Sequence, residues 1–137
     1  MSWQQYIDSS LVGSGHIDKA AIVSAAGDSV WATSAGFNAQ AAELKNIATI
    51  LAAAENEKGD QSAVATAQAE GIHVAGERYV VARIDGRSIY ARQGRTGICI
   101  AKTKQAFILA HHGEAQVAGN ASSTTEALAD YLIKAGY

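Results

Sequence analysis

Nine aromatic residues occur in this chain of 137: two Trp, five Tyr and two Phe. Trp3, Tyr6, Tyr131 and Tyr137 stand near its two ends, and Trp31 sits in an early strand-like run. Indole and phenol rings gathered on one surface suit an extended proline-rich segment. Such a segment has little conformational entropy left to lose and carries free carbonyls that ring N–H and O–H groups can bond. The competing reading is that Trp3, Trp31 and Tyr131 are core, since aromatic side chains usually pack inside. On pattern alone the core reading weighs somewhat more. Tyr137 resists it, because a tyrosine directly after Gly136 has no evident core role.

A second chemistry lies in the charges. Seven of the eleven Lys and Arg fall between positions 78 and 104, namely Arg78, Arg83, Arg87, Arg92, Arg95, Lys102 and Lys104, with Asp85 the one acidic residue among them. In a chain of net charge −2 this asymmetry points to an anionic partner. A two-residue Asp85-Gly86 loop would set Ile84 opposite Arg87, Arg83 opposite Ser88, Val81 opposite Tyr90 and Tyr79 opposite Arg92. Alternation then puts Val80, Ala82, Ile84, Ile89 and Ala91 on an apolar face, with Arg87 at its turn end. Tyr79, Val81, Arg83, Ser88, Tyr90 and Arg92 share the opposite, aromatic-cationic face. That face suits a partner protein or a phosphoinositide headgroup. A solvated face with an Arg–Tyr stack worth ~0.5–1 kcal/mol is the plainer alternative, and for the group of seven the two readings balance.

Other chemistries find no support. His16, His73, His111 and His112 have no Cys or carboxylate at metal-ligand spacing, so no metal and no cofactor is expected. Cys99 between Ile98 and Ile100 reads as a buried strand thiol. Gly13-Ser14-Gly15 lacks the Lys and Ser/Thr of a phosphate loop, and no nucleophile elbow occurs. The chain reads as a non-enzyme, without catalytic residues. The aromatic strand motif of RNA-binding sheets is absent too, so no nucleic acid is expected.

The elements that must position these groups follow from periodicity. Ser2 is an N-cap before Trp3, Ile7 and Leu11 at spacing four, and Gly13-Ser14-Gly15 ends that helix. Ala20 to Ser24 and Ser29 to Thr33 form a hairpin around Ala26-Gly27-Asp28. Leu44, Ile47, Ile50, Leu51 and Ala54 define a helix within 39–54. A polar surface loop follows from Glu55 to Ser62, and Ala63 to Glu70 fits a helical turn or a mobile stretch equally. From Ile72 to His112 the period is two, an antiparallel meander. Ser123 and Glu126 read as a capping box, with Leu128, Tyr131, Leu132 and Ala135 on one face of the last helix and Gly136 at its end. The fold class is α+β: a central antiparallel meander, N- and C-terminal helices together on one face, a further helix on the other.

Bulk composition agrees with one domain over 1–137. Hydrophobic residues are 48 % and charged residues 18 %, ordinary for a soluble globule and unlike a disordered chain. A single cysteine suits a reducing compartment. The expectation is a cytoplasmic monomer, without signal peptide, membrane span or lipid anchor.

Four stretches then resemble one family. Ser2-Trp3-Gln4-Gln5-Tyr6-Ile7-Asp8, Gly27-Asp28-Ser29-Val30-Trp31-Ala32-Thr33-Ser34, Arg87-Ser88-Ile89-Tyr90 and Ala129-Asp130-Tyr131-Leu132-Ile133 look like profilin, in the style of fungal and amoeboid members. The resemblance covers both ends and most of the middle, broken between about Ala39 and Gly71. It implies a groove for proline-rich ligands at Trp3, Tyr6, Trp31, Tyr131, Leu132 and Tyr137. It implies an actin-monomer surface at Arg83, Arg87, Tyr90, Arg92, Gly119 and Asn120, with phosphoinositide binding shared by Arg83 and Arg87. Profilins of this kind regulate actin polymerisation, speed nucleotide exchange on the monomer and deliver it to barbed ends through proline-rich, formin-type elongation factors. Their setting is the cytoplasm and cytoskeleton. Departures from the family pattern are the absence of proline, the long polar 55–70 loop and Ala91 where glycine is frequent. These bear on actin affinity.

Two other readings follow from the same residues. One is a phosphoinositide- and polyproline-binding adaptor with weak or lost actin binding. The other is a ligand-sensing domain whose rings enclose a small molecule. An open shelf of rings separates the first two from the third.

Overall fold

The computed structural model describes residues 2–137. The N-terminal helical segment begins as α1 (Trp3–Gln5), widens to a π-helical turn over Tyr6–Leu11 and tightens to a 3-10 turn at Val12–Ser14. Ser2 caps it as its sequence context predicts. Its hydroxyl accepts from the Gln5 N–H at 3.2 Å, while the Ser2 N–H donates to the Gln5 side chain at 2.8 Å. The wide turn has a local requirement. A Cβ at Gly13 would sit 2.6 Å from the Asp8 carbonyl oxygen, so only glycine lets the backbone close there.

Seven strands follow: β1 (Lys19–Ser24), β2 (Val30–Thr33), β3 (Ile72–Val74), β4 (Glu77–Asp85), β5 (Ser88–Gln93), β6 (Thr96–Lys102) and β7 (Ala106–His112). They form one antiparallel sheet in the order β2-β1-β7-β6-β5-β4-β3. Between β2 and β3 come α2 (Ala41–Glu55) and α3 (Ser62–Glu70); α4 (Ala118–Lys134) closes the chain. The stretch that the sequence left open at 63–70 is therefore helical, and it seats Ala67 against the core.

Strand alternation divides the core cleanly. Ala21, Val23, Ile98, Ile100, Phe107 and Leu109 point to one side, under Leu44, Ile47, Ile50 and Leu51 of α2. Ala20, Ile22, Ala32, Ala101, Ile108 and Ala110 point to the other, under Ile7, Leu11, Leu128, Ala129 and Leu132 of the terminal helices. Each sheet face is thus buried by its own helical layer. The terminal helices lie together on one face, and α2 with α3 on the other.

Three local expectations are corrected. First, the β4–β5 loop is Gly86-Arg87, because Asp85 pairs with Ser88 and Ile84 with Ile89. Next to the turn the pairing slips two residues from the expected register, and one residue beyond Ala82, which frees Arg87 to reach α4 rather than ending the apolar face. Second, a bulge between Val81 and Arg83 reverses the phase of β4. Tyr79 and Val81 consequently join the α2-side core with Ile84, while Val80 is exposed and Ala82 lies outside it. Third, α4 starts five residues before Ser123, so Ser123 and Glu126 do not cap it. Glu126 instead accepts the Ser88 hydroxyl at 2.7 Å.

The β3–β4 turn carries the one described non-glycine residue with positive φ, Ala75 at 54°. The Glu43 carboxylate compensates that strain. It accepts the Ala75 and Gly76 N–H groups at 2.8 and 2.9 Å, and the Gln40 N–H at 2.8 Å as part of the α2 cap. Ala75→Gly is expected to raise stability by about 0.5–1 kcal/mol, the left-handed penalty of a Cβ outweighing the entropy of an extra glycine. Urea unfolding checks it, and an unchanged midpoint would mean that the turn relaxes around alanine.

Candidate functional site

The paired terminal helices and the β1–β2 hairpin bring five aromatic rings together. Trp3 is the hub. Its ring centroid lies 4.8 Å from Trp31, 4.9 Å from Tyr137 and 5.6 Å from Tyr6, and Tyr6 lies 6.0 Å from Tyr131. These spacings and tilted or edge-on angles are those of favourable aromatic pairs. The cluster is open on one side, with Tyr131 54 % and Tyr137 42 % exposed and Trp3 and Trp31 half-buried. Tyr6 is buried as its foot. Hydrogen bonding to Tyr131, then burial, raises the Tyr6 pKa, so its phenol keeps its proton at neutral pH.

Leu132 departs from expectation. It is fully buried, 0 % exposed, in the core beneath the rings. Neighbouring helix residues point about 100° apart, so Leu132 can face the core while the ring of Tyr131 stays exposed. It supports the shelf and cannot touch what lies on it.

Sequence reasoning put Gly136 at the end of the last helix but missed the turn that holds the last ring in place. Gly136, at φ 97°, ends α4 with the Gly136 N–H on the Ile133 carbonyl and the Tyr137 N–H on the Leu132 carbonyl. The β6–β7 turn then grips the chain. The Gln105 N–H and the Thr103 hydroxyl both donate to the Tyr137 carbonyl, at 2.5 and 2.9 Å, and the Gln105 side chain donates to that of Gly136. On the other flank the Gln4 amide donates to the Thr33 carbonyl, tying the first helix to β2 beside Trp31. No local pattern announces such contacts, which span up to 34 residues of sequence.

The second surface comprises β4, β5 and the start of α4. The Arg83 guanidinium lies 4.6 Å over the Tyr90 ring. Tyr90, Arg92 and Gly119 border a small groove of about 180 Å³ between β5, β6 and α4, and Asn120 is exposed on the first turn of that helix. Five of the six residues expected for a protein partner thus lie around one end of α4 and the strands beside it. Arg87 is committed elsewhere. It pairs with Asp130 at 2.8 Å and Glu126 at 3.4 Å. Burial alone would lower its pKa, but hydrogen bonding to Asp130 and the charge of Glu126 outweigh that and raise it. Lys102 is also paired, with Glu55 at 2.7 Å. The basic run is therefore less free than its composition suggests, because the partners Glu55, Glu126 and Asp130 lie far away in sequence.

His112 sits under the same groove, buried, its Nδ1 without a well-formed hydrogen bond. Burial, then the charge of His111, lower its pKa and outweigh the raising effects of the Gly113 backbone and Asp18, with Arg92 adding the least. The unfolded chain then binds the proton more readily than the folded one. Stability is expected to hold above the ordinary imidazole range near pH 6.5 and to fall as pH drops through it. His112→Gln is expected to flatten that limb between about pH 7 and 5. Thermal unfolding against pH measures it, and an identical slope in the variant would assign the effect to other groups. Cys99, across the groove, is buried with its thiol 3.1 Å from the Ser122 hydroxyl, and burial raises its pKa, as suits an inert thiol.

Three comparisons with known proteins bear on this arrangement. A family model described as Profilin matches residues 1–137. Profilin of Schizosaccharomyces pombe is 45 % identical over 137 residues, covering all of both chains, and its crystal structure superposes with a TM-score of 0.87 over 99 % of this chain and 100 % of that one. Profilin of Saccharomyces cerevisiae is 43 % identical over the full length of both. Mouse profilin IIa, in complex with a double repeat from the FH1 domain of mDia1, shares the fold at a TM-score of 0.72 and 20 % identity, with both chains fully covered.

Proposed function

Because this chain belongs to the profilin family, we propose that it holds an actin monomer on the β4–β5–α4 surface and a proline-rich segment on the shelf between its terminal helices. The observation that carries the proline half is the ring cluster itself: Trp3, Trp31, Tyr131 and Tyr137, drawn from both ends of the chain, packed at 4.8–6.0 Å together with Tyr6 and open to solvent. A rigid apolar shelf with phenol and indole donors at its rim fits a ligand that is already extended. Mouse profilin IIa, with its FH1 repeat, lends support by analogy of fold. A formin-type elongation factor is the corresponding class of partner here.

The actin half rests on family membership, on the exposed Arg83, Arg92, Gly119 and Asn120 and on the half-buried Tyr90 beside them. Holding the monomer there would regulate polymerisation and nucleotide exchange. Phosphoinositide binding, expected at Arg83 and Arg87, falls mainly to Arg83 and its neighbour Arg92, since Asp130 and Glu126 neutralise Arg87. Among the described residues no helix is long and apolar enough to cross a membrane. A cytoplasmic, cytoskeleton-associated monomer is the setting this function requires.

Titration with decaproline while following tryptophan fluorescence tests the first half. A saturable change is expected, and a flat signal would overturn it. Slowed nucleation of pyrene-labelled actin, undiminished at saturating decaproline, tests the second half and the independence of the two surfaces.

A further inference from the structure

The groove between β5, β6 and α4 holds a set of unused hydrogen-bond donors. Ala121 is the first residue of α4 whose N–H is bonded, to the Val117 carbonyl. No side chain caps this helix, and its first turn holds no acidic residue. Among the described residues, the N–H groups of Ala118, Gly119 and Asn120 are therefore without partners, at the positive end of a 17-residue helix. Ala118 and Gly119 border the groove. A Cβ on Gly119 would meet nothing within 4 Å, so the space beside the helix start is open.

Two side chains face the same space. Arg92 and His112 both pair with Gly97, from opposite sides. Only glycine fits between them, since a Cβ there would sit 2.5 Å from the His112 Nε2. The imidazole thus lies over Gly97, reaching toward Arg92. Arg92 is exposed and makes no described ion pair. His112 lines the groove, is only 5 % exposed, and its Nδ1 is buried without a hydrogen-bond partner. Buried polar groups are normally bonded, so a ring left in this state marks a place where a partner belongs.

The remaining walls define that partner. Cys99, a small and nearly apolar side chain, and Ala82 line the groove with the Tyr90 ring. Ser122 is committed to the Ala118 carbonyl at 3.0 Å and to the Cys99 thiol. Burial keeps His112 neutral at neutral pH, so it offers an N–H but no charge. Arg92 supplies one full charge and the helix start about half of one. That balance suits a monoanion and leaves a phosphate dianion under-compensated. The volume of about 180 Å³ lies below the roughly 300–1,000 Å³ of sites for drug-sized ligands, so the occupant is small.

We propose that this groove binds a small monocarboxylate with a short aliphatic tail. The carboxylate accepts from Arg92, from the His112 ring and from the free N–H groups at the start of α4. The tail lies against Cys99, Ala82 and the Tyr90 ring. The site requires neither the proline shelf nor an actin monomer.

Titration of the intact, isotope-labelled protein with sodium butyrate, at neutral pH and constant ionic strength, tests this by NMR. Saturable shifts are expected at the Ala118, Gly119 and Asn120 amides and at the His112 ring, and none with butyramide, the uncharged analogue. Arg92→Gln should weaken butyrate binding by about tenfold or more, the loss of a charge-assisted hydrogen bond. Ala118→Asp should abolish it, because it sets a carboxylate of the chain's own at a helix position that favours one. Both positions are exposed, so both variants should unfold thermally close to the parent. Non-saturating shifts with butyrate, or equal shifts with butyramide, would overturn the proposal. Inorganic phosphate binding tighter than butyrate would overturn it too, since the site would then select charge alone. Full butyrate affinity in both variants would place the acid elsewhere, and the proposal would fall.

Discussion

Replacing Trp3 by alanine is expected to reduce affinity for decaproline by more than a hundredfold while leaving actin binding within about twofold. Trp3 touches three of the other four rings of the cluster, at 4.8, 4.9 and 5.6 Å. Its removal takes away contact area for the ligand and also the packing that fixes Trp31 and Tyr137. Buried aromatic anchors lose about 2–4 kcal/mol of binding when truncated, and two dislodged neighbours add to that. The effect should be confined to this face. The Arg83–Tyr90 surface belongs to β4 and β5, and the buried side chains beneath Trp3, Ile7 and Leu11, remain. Trp3 is itself only half-buried, so folding stability should fall by no more than about 1–2 kcal/mol. Decaproline titration, pyrene-actin assay and urea unfolding together check it. Equal loss of both activities would indicate that the substitution had unfolded the domain.

Reversing Arg87 to glutamate is expected to do more to the fold than to a partner. The substitution would put a third carboxylate beside Glu126 and Asp130, which Arg87 now pairs at 3.4 and 2.8 Å. Glu126 is largely shielded and also accepts the hydroxyl of Ser88, a buried residue. Removing its cation leaves a partly desolvated charge uncompensated, at a cost of about 1–3 kcal/mol, and like-charge repulsion adds to it. Actin and phosphoinositide binding should weaken together as the α4–β5 seam loosens. Arg83→Glu makes the contrast. Arg83 is exposed and its one described partner is the Tyr90 ring, so stability should change by less than about 1 kcal/mol. Its binding to actin and to phosphoinositide vesicles should nevertheless drop tenfold or more. If Arg87→Glu unfolds at the same urea concentration as the parent, the ion pairs with α4 contribute nothing. If Arg83→Glu binds both ligands as before, this face is not the site.

Three of the corrections share one cause. The β4–β5 register, the phase of β4 and the start of α4 were each read from local spacing, and each is decided by a contact from elsewhere. Arg87 occupies the loop because Asp130 and Glu126 draw it toward α4. The bulge at Ala82 lets Tyr79 and Val81 reach the α2-side core. Ser123 looked like a cap only because Glu126 follows at the right interval, whereas Glu126 serves Ser88 across 38 residues. The resemblance puts Leu132 in the groove, whereas the packing of α4 on the sheet turns it into the core.

What the amino-acid order settled by itself was the part governed by period and by neighbours. The Ser2 cap, the period-four face of Ile7 and Leu11, the α2 stripe from Leu44 to Ala54 and the two-residue alternation of the meander are short-range physics, legible wherever side chains a few positions apart must share a face. Family membership was legible for a related reason, since the end segments retain their rings in order. Only tertiary structure could decide that rings from residues 3, 6, 31, 131 and 137 meet, that the β6–β7 turn clamps Tyr137, and that Arg87 and Lys102 of the basic run are neutralised. Those outcomes depend on which distant groups the sheet brings within a few ångströms. Hydrogen bonds and ion pairs across 30 or more residues leave no periodic trace along the chain.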